Sequence, residues 1–198
     1  MLTLPVPEPD PAPTGIGWLR STVSRFANGA VHARRRAIVE DLLAGIDPAD
    51  LSRPYDEHPV APLARALGFD GAAEDVRVDG VVEDVRIAAA AYQTGDTAAD
   101  EAVERLVMVF GGAHDERTAA HIQLLVQACD ATATLIERAR TRPVDEVLRD
   151  DPPVLATRRV APDGSIIAVP LEGRPFGEGP RACPGREHAL ALVEGALR

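Results

Sequence analysis

The sequence predicts a mostly α-helical domain that carries one small β hairpin. Three observations predict it. Apolar residues recur at helical spacing over Val76 to Tyr92, and further helix-length segments are bounded by glycine and proline stops. Aromatics are scarce at 4%, while Ala, Val and Leu dominate a 45% apolar content, which suits helices packed in thin layers. Strand signals are confined to two short segments joined by Pro162-Asp163-Gly164.

Taken in order, residues 1–14 hold prolines at 5, 7, 9, 11 and 13, so this stretch reads as an extended lead-in to one domain over 15–198. A basic helix is expected over about Val31 to Leu43, ended by Gly45 and Asp47-Pro48. Pro59 to Leu67 reads as a short helix closed by Gly68, and Val76 to Tyr92 as a longer one, apolar at 78, 81, 82, 85 and 89. Ala98 to Phe110 is another, stopped by Gly111-Gly112. Asp115 can cap a long helix that runs to about Arg140, roughly 38 Å at 1.5 Å per residue. Its middle is apolar on nearly all sides, so it should cross the core. A short helix from Pro143 to Arg149 stops at Pro152-Pro153; the hairpin strands are Val154 to Val160 and Ser165 to Val169. A Gly/Pro-rich loop, 173–185, leads into a last helix from about Pro184 to Leu197.

Composition excludes several classes. A formal net charge of −10 argues against nucleic acid or an anionic membrane as the main partner. No apolar run reaches the roughly 18 residues of a membrane span, and the N-terminus lacks the pattern of a signal peptide. Cys129 and Cys183 are far apart, which makes a disulfide scaffold improbable and a reducing cytoplasm the expected compartment. The histidines at 32, 58, 114, 121 and 188 have no zinc-ligand spacing with either cysteine.

The richest segment is Phe176-Gly177-Glu178-Gly179-Pro180-Arg181-Ala182-Cys183-Pro184-Gly185. Gly177 and Gly179 permit positive φ and close approach of backbone to a flat ligand. Cys183 precedes the last helix, whose positive end, together with Arg181, would lower the thiol pKa and favour a metal-binding thiolate. The bland reading is a buried, inert cysteine.

All six fixed positions of F-G-x-G-x-R-x-C-x-G are present, and the loop resembles the haem-binding signature of the cytochrome P-450 family. The resemblance implies a reduced cytochrome P-450-like core that binds haem b, with Cys183 as the axial iron ligand, Phe176 near the sulfur and Arg181 facing a propionate. Further matches follow the family's order. Glu146 and Arg149 fit its E-x-x-R, and on one helix face they can pair. Thr157-Arg158-Arg159-Val160 looks like the strand that sends an arginine to a propionate, and Arg158 is the residue carried over. His32 and Arg36 resemble the H-x-x-x-R of the helix beside the haem, with Arg34 as a third contact; the alternative is a solvated basic face.

The long helix looks like the family's distal helix. Asp130 falls on its acid, Ala131 stands where the family has threonine, Gln127-Ala128 stands at the usual Ala-Gly kink, and Thr132 follows one residue late. Asp130 and Thr132 are therefore the catalytic candidates, while Cys129 reads as packing. Trp18 and Phe26 either cover the pocket or are ordinary core aromatics. The spacings between elements are shorter than the family's, so the chain resembles a truncated member. The resemblance implies a monooxygenase or peroxygenase acting on a small organic molecule, with electrons from a ferredoxin or flavoprotein or with peroxide. The alternative is a haem-binding sensor or carrier, or a non-catalytic partner protein. A homodimer would help cover an apolar cofactor.

Overall fold

A computed structural model describes residues 1–69 and 77–198. Its helices are α1 (Gly15–Thr22), α2 (Gly29–Ala44), α3 (Pro48–Leu51), α4 (Val60–Ala66), α5 (Val78–Ala91), α6 (Asp100–Val109), α7 (Glu116–Ala139), α8 (Val144–Asp150) and α9 (Arg186–Leu197). Short 3₁₀ turns lie at Ser24–Phe26, Thr97–Ala99 and Gly179–Arg181. Strands β1 (Ala156–Val160) and β2 (Ile166–Pro170) pair antiparallel. The described residues are mostly helical with one two-stranded ribbon, as the sequence predicts.

The centre of the molecule is α7. Asp115 caps it by accepting from the Thr118 N–H at 2.8 Å. Its 24 residues span roughly 36 Å and pack against α1, α2, α4, α5, α6, α8 and α9. Ile122, Leu125 and Cys129 are fully buried, and each of the two aliphatics contributes about 1.5–3 kcal/mol of transfer free energy. The middle of α7 is apolar on nearly all sides, and the break is at Gln127 and Asp130, which are exposed.

Several elements differ from expectation. Gly15–Thr22 is a helix that weak periodicity hides, because tertiary groups complete its N-terminus. Thr14 makes no side-chain cap; instead Glu104 and Asp100 on α6 accept from the N–H groups of Gly15 (2.8 Å) and Ile16 (2.9 Å). Asp47-Pro48, expected only as a stop, also starts α3, with Asp47 capping Ala49 and Pro48 in the first turn. The final helix begins at Arg186, two residues after Pro184, with Gly185 as its N-cap. It then lies close on α3: a Cβ at Gly195 would sit 2.6 Å from the Arg53 carbonyl oxygen, so only glycine fits. Val76, the expected start of the 76–92 helix, lies outside the described residues.

Residues 1–14 contain no helix, but they are more than a lead-in. Leu2 and Val6 are buried, and Leu2 packs with Val169 and Leu171 beneath the ribbon. The Pro5 carbonyl accepts from the Val160 N–H at 2.8 Å, which ties the segment to the end of β1. Trp18 and Phe26 resolve as core aromatics. Trp18 stands edge-on to His114 at 4.7 Å between centroids, and Phe26 packs on Tyr92 at 5.1 Å. Among the described residues, no helix is long and apolar enough to cross a membrane.

Candidate functional site

One partly open cavity of about 280 Å³ gathers most of the residues singled out from sequence. This is near the lower end for small-molecule sites. Each wall follows from local structure. On α7, Leu124, Ala128, Ala131 and Leu135 form a stripe at three- and four-residue spacing that faces the cavity. On α9 the stripe is Gly185, His188, Ala189 and Leu192. The α2 helix contributes His32 and Arg36, one turn apart. The cysteine loop, the inner face of β1, the 3₁₀ turn at Ser24 and Leu2 complete the enclosure.

The cysteine loop is a tight, internally bonded turn. The Gly177 N–H donates to the Arg174 carbonyl at 2.8 Å, and the Cys183 N–H to the Phe176 carbonyl at 2.7 Å. Gly177 has φ +70°, and a Cβ there would meet the Arg181 carbonyl oxygen at 3.4 Å. Phe176 and Cys183 thus both reach the cavity. Phe176 also carries Arg186 over its ring, 5.2 Å from the centroid.

Cys183 is exposed, and the surface it exposes is cavity lining. The surrounding walls still remove it from bulk water. Burial therefore pushes its thiol pKa up, while the Gly185 N–H and Arg36 pull it down. This corrects the expectation of a thiol already lowered by Arg181. That guanidinium instead donates to the Ala27 carbonyl at 2.6 Å and to Asn28 Oδ1 at 2.9 Å. Arg181 is itself lowered to about 10 by burial, then by Arg159 and Arg25, with Glu8 opposing. Cys129, by contrast, sits in the core with its thiol pushed up to about 12, by burial first and then by Asp130.

Of the two strand arginines, Arg159 and not Arg158 faces the cavity. Along β1 burial alternates, with Thr157 and Arg159 inward and Arg158 outward, because successive strand residues point to opposite faces. Arg159 is 3% exposed and lines the cavity; Arg158 does not. Its guanidinium donates to Thr157 Oγ1 (2.7 Å), the Arg158 carbonyl (2.8 Å) and the Leu2 carbonyl (3.2 Å). Arg25, on the Ser24–Phe26 turn, donates to the same Thr157 Oγ1 at 3.3 Å.

Other candidates separate. His32 and Arg36 line the cavity, and Arg36 also pairs with Glu40 at 2.7 Å. Burial lowers the His32 pKa, helped by Arg181 and Arg36, with Glu40 opposing. Arg34 points elsewhere: with Arg35 it holds Glu116 at the start of α7. Glu146 and Arg149 do not pair. Glu146 takes Arg142 one turn back at 3.0 Å, and Arg149 turns to Asp150 at 3.0 Å. Asp130 is exposed and outside the cavity, whereas Thr132 is buried and lines it beside Ala131.

Sequence reasoning missed Arg25, Arg159, Thr157 and His188. The α9 stripe at 185, 188, 189 and 192 was the available signal for His188. Its Nε2 lies 3.1 Å and 3.2 Å from the Leu43 and Ile46 carbonyls, and its buried Nδ1 has no partner. Arg25 has no local signature, since it reaches Thr157 across 132 residues of sequence.

The cavity wall is thus apolar along two helices and cationic at the turn, β1 and the cysteine loop. Its carboxylate, Glu178, pairs with Arg174 at 2.8 Å. Among the described residues Arg25, Arg159 and Arg181 make no ion pair, in a chain of net charge −10. Such a wall suits an apolar group that bears carboxylates and a metal with affinity for a thiolate. Comparison with family models, curated proteins and solved structures gives no match for this chain.

Proposed function

We propose that this chain is a shortened haem-thiolate protein of the cytochrome P-450 type, holding haem b in this cavity. The observation that carries the reading is the cavity-facing Cys183 thiol in a cavity whose wall holds guanidiniums without ion-pair partners. Cys183 would supply a thiolate to the haem iron, its backbone N–H held by the Phe176 carbonyl. Arg181, Arg159, His32 and Arg36 would hold the propionates. Gly177, with its positive φ, would let the loop backbone approach the bound group. Bound haem supplies oxygen or peroxide chemistry, with the thiolate pushing electron density to the iron. The stripe of Leu124, Ala128, Ala131 and Leu135 would exclude water around a small apolar substrate, and Thr132 would place a hydroxyl in the same wall, one residue past Ala131. Electrons would come from a ferredoxin or flavoprotein, or peroxide would supply oxygen and electrons together.

A second reading has its own support. With Ala131 at the threonine position and Asp130 facing solvent, the acid–threonine relay is absent. That favours a haem-binding sensor or carrier, or a non-catalytic partner, over a standard monooxygenase. The experiment is reconstitution with haem b followed by a carbon-monoxide difference spectrum of the reduced protein. A thiolate-type Soret band is expected, and Cys183→Ser should abolish it; no haem uptake sinks both readings. Turnover of a substrate panel with peroxide and with a surrogate redox pair divides enzyme from sensor.

A further inference from the structure

The arginine turn at residue 25 carries more positive charge than the proposed cofactor consumes. Thr157 Oγ1 accepts from Arg25 Nη2 at 3.3 Å and from Arg159 Nη1 at 2.7 Å, so one neutral hydroxyl bridges two guanidiniums. Nothing anionic among the described residues lies within ion-pairing distance of either group. Two like charges held together away from water are costly unless an anion joins them. Haem b brings two carboxylates. Arg159 and Arg181, the other guanidiniums of the wall without ion-pair partners, match these one to one, whereas Arg36 is already paired with Glu40; Arg25 is left without a counter-charge.

We propose that Arg25, with the Thr157 hydroxyl beside it, anchors the carboxylate of a small amphipathic organic acid whose apolar part lies along α7. The charge count rests on the haem-thiolate reading. The geometry of the anchor does not. Leu124, Ala128, Ala131 and Leu135 provide the apolar track, and all four line the same cavity as Arg25. Burial lowers the Arg25 pKa and Tyr92 opposes it, as expected for a cation desolvated without an anion. A carboxylate would form a charge-assisted, two-pronged hydrogen bond with the guanidinium.

The test uses the full chain, loaded with haem b, and two probes of equal chain length: decanoate and 1-decanol. Affinities are measured by calorimetry at neutral pH. Decanoate is expected to bind about tenfold or more tightly than decanol, the range of a charge-assisted hydrogen bond. In Arg25→Gln the preference should disappear while decanol affinity stays as it was, and Arg25→Lys should restore part of the preference. Equal binding of the two probes, or a preference that survives Arg25→Gln, overturns the proposal. Circular dichroism checks the fold of each variant. If haem does not bind, the haem-thiolate reading fails by itself. The two-probe comparison on the haem-free protein then decides the anchor by the same criterion.

Discussion

The N–H of Cys183 donates to the Phe176 carbonyl at 2.7 Å, which ties the two ends of the cysteine loop together and presents both side chains to one cavity. The thiol is thereby held in place rather than left to rotate with a mobile loop. Its surroundings favour the neutral form in the haem-free protein, since burial outweighs the Gly185 N–H and Arg36.

A pH signature follows for the haem-free protein. Alkylation of Cys183 by iodoacetamide should rise with pH only above the ordinary thiol value of 9.0. Arg36→Gln should move that rise to higher pH, since Arg36 favours the thiolate. The stability sign agrees: a thiol raised on folding contributes fully below its unfolded pKa, and the contribution fades as pH climbs past it. Peptide mapping by mass spectrometry of the alkylated protein checks this. A rise beginning near neutrality would contradict the burial argument.

The two neighbouring strand arginines should behave differently. Arg159→Met removes hydrogen bonds to Thr157, the Arg158 carbonyl and the Leu2 carbonyl, and strips a cation from the cavity. Haem affinity should fall by about tenfold or more, as when a buried charged hydrogen bond is lost. Arg158→Met, on the outer face of β1, should leave it little changed. Fluorescence titration with haem b measures both.

Asn28 links the N-terminal segment to the cysteine loop. Its side-chain oxygen accepts from the Val6 N–H and from Arg181, each at 2.9 Å, and its amide donates to the Val6 carbonyl at 2.9 Å and to Glu8 at 2.8 Å. Asn28→Ala should cost about 1–3 kcal/mol in stability by leaving these groups without partners. Residues 1–8 should then lose hydrogen-exchange protection before the rest of the chain, because Leu2 and Val6 are their main buried anchors. Uniform loss of protection across all elements would count against that local role.

The distal candidates also divide. Asp130→Asn should leave peroxide-driven turnover or haem autoxidation nearly unaltered, since Asp130 is exposed outside the cavity. Thr132→Val, which removes a buried hydroxyl from the cavity wall, should change the same rates. Stopped-flow spectroscopy on the loaded variants distinguishes them, and the reverse pattern would restore the acid to the site.

Much of this was legible along the chain. Apolar spacing located α5, glycine and proline stops bounded α2, α4, α6 and α8, and the Asp115 cap marked the start of α7, because these are signals between residues a few positions apart. The six-position cysteine motif placed Phe176, Gly177, Arg181 and Cys183 on one loop for the same reason. The pairing of Glu146 with Arg149 was not decided locally, since Arg142 and Asp150 are equally near and compete for the same charges.

By itself, then, the sequence determined a mostly helical protein with a thiol-bearing loop at the start of its last helix and cations ordered before it. Only the tertiary structure decided which of those cations meet. Arg159 rather than Arg158 faces the cavity because strand alternation depends on which face is covered. Arg25 joins it because the 3₁₀ turn packs against β1 through Thr157, a contact between residues 132 apart. Asp130 is turned to solvent because α7 is oriented by the elements packed around it, which fixes its rotation about its own axis. Such pairings depend on packing over the whole core, and no window of sequence contains them.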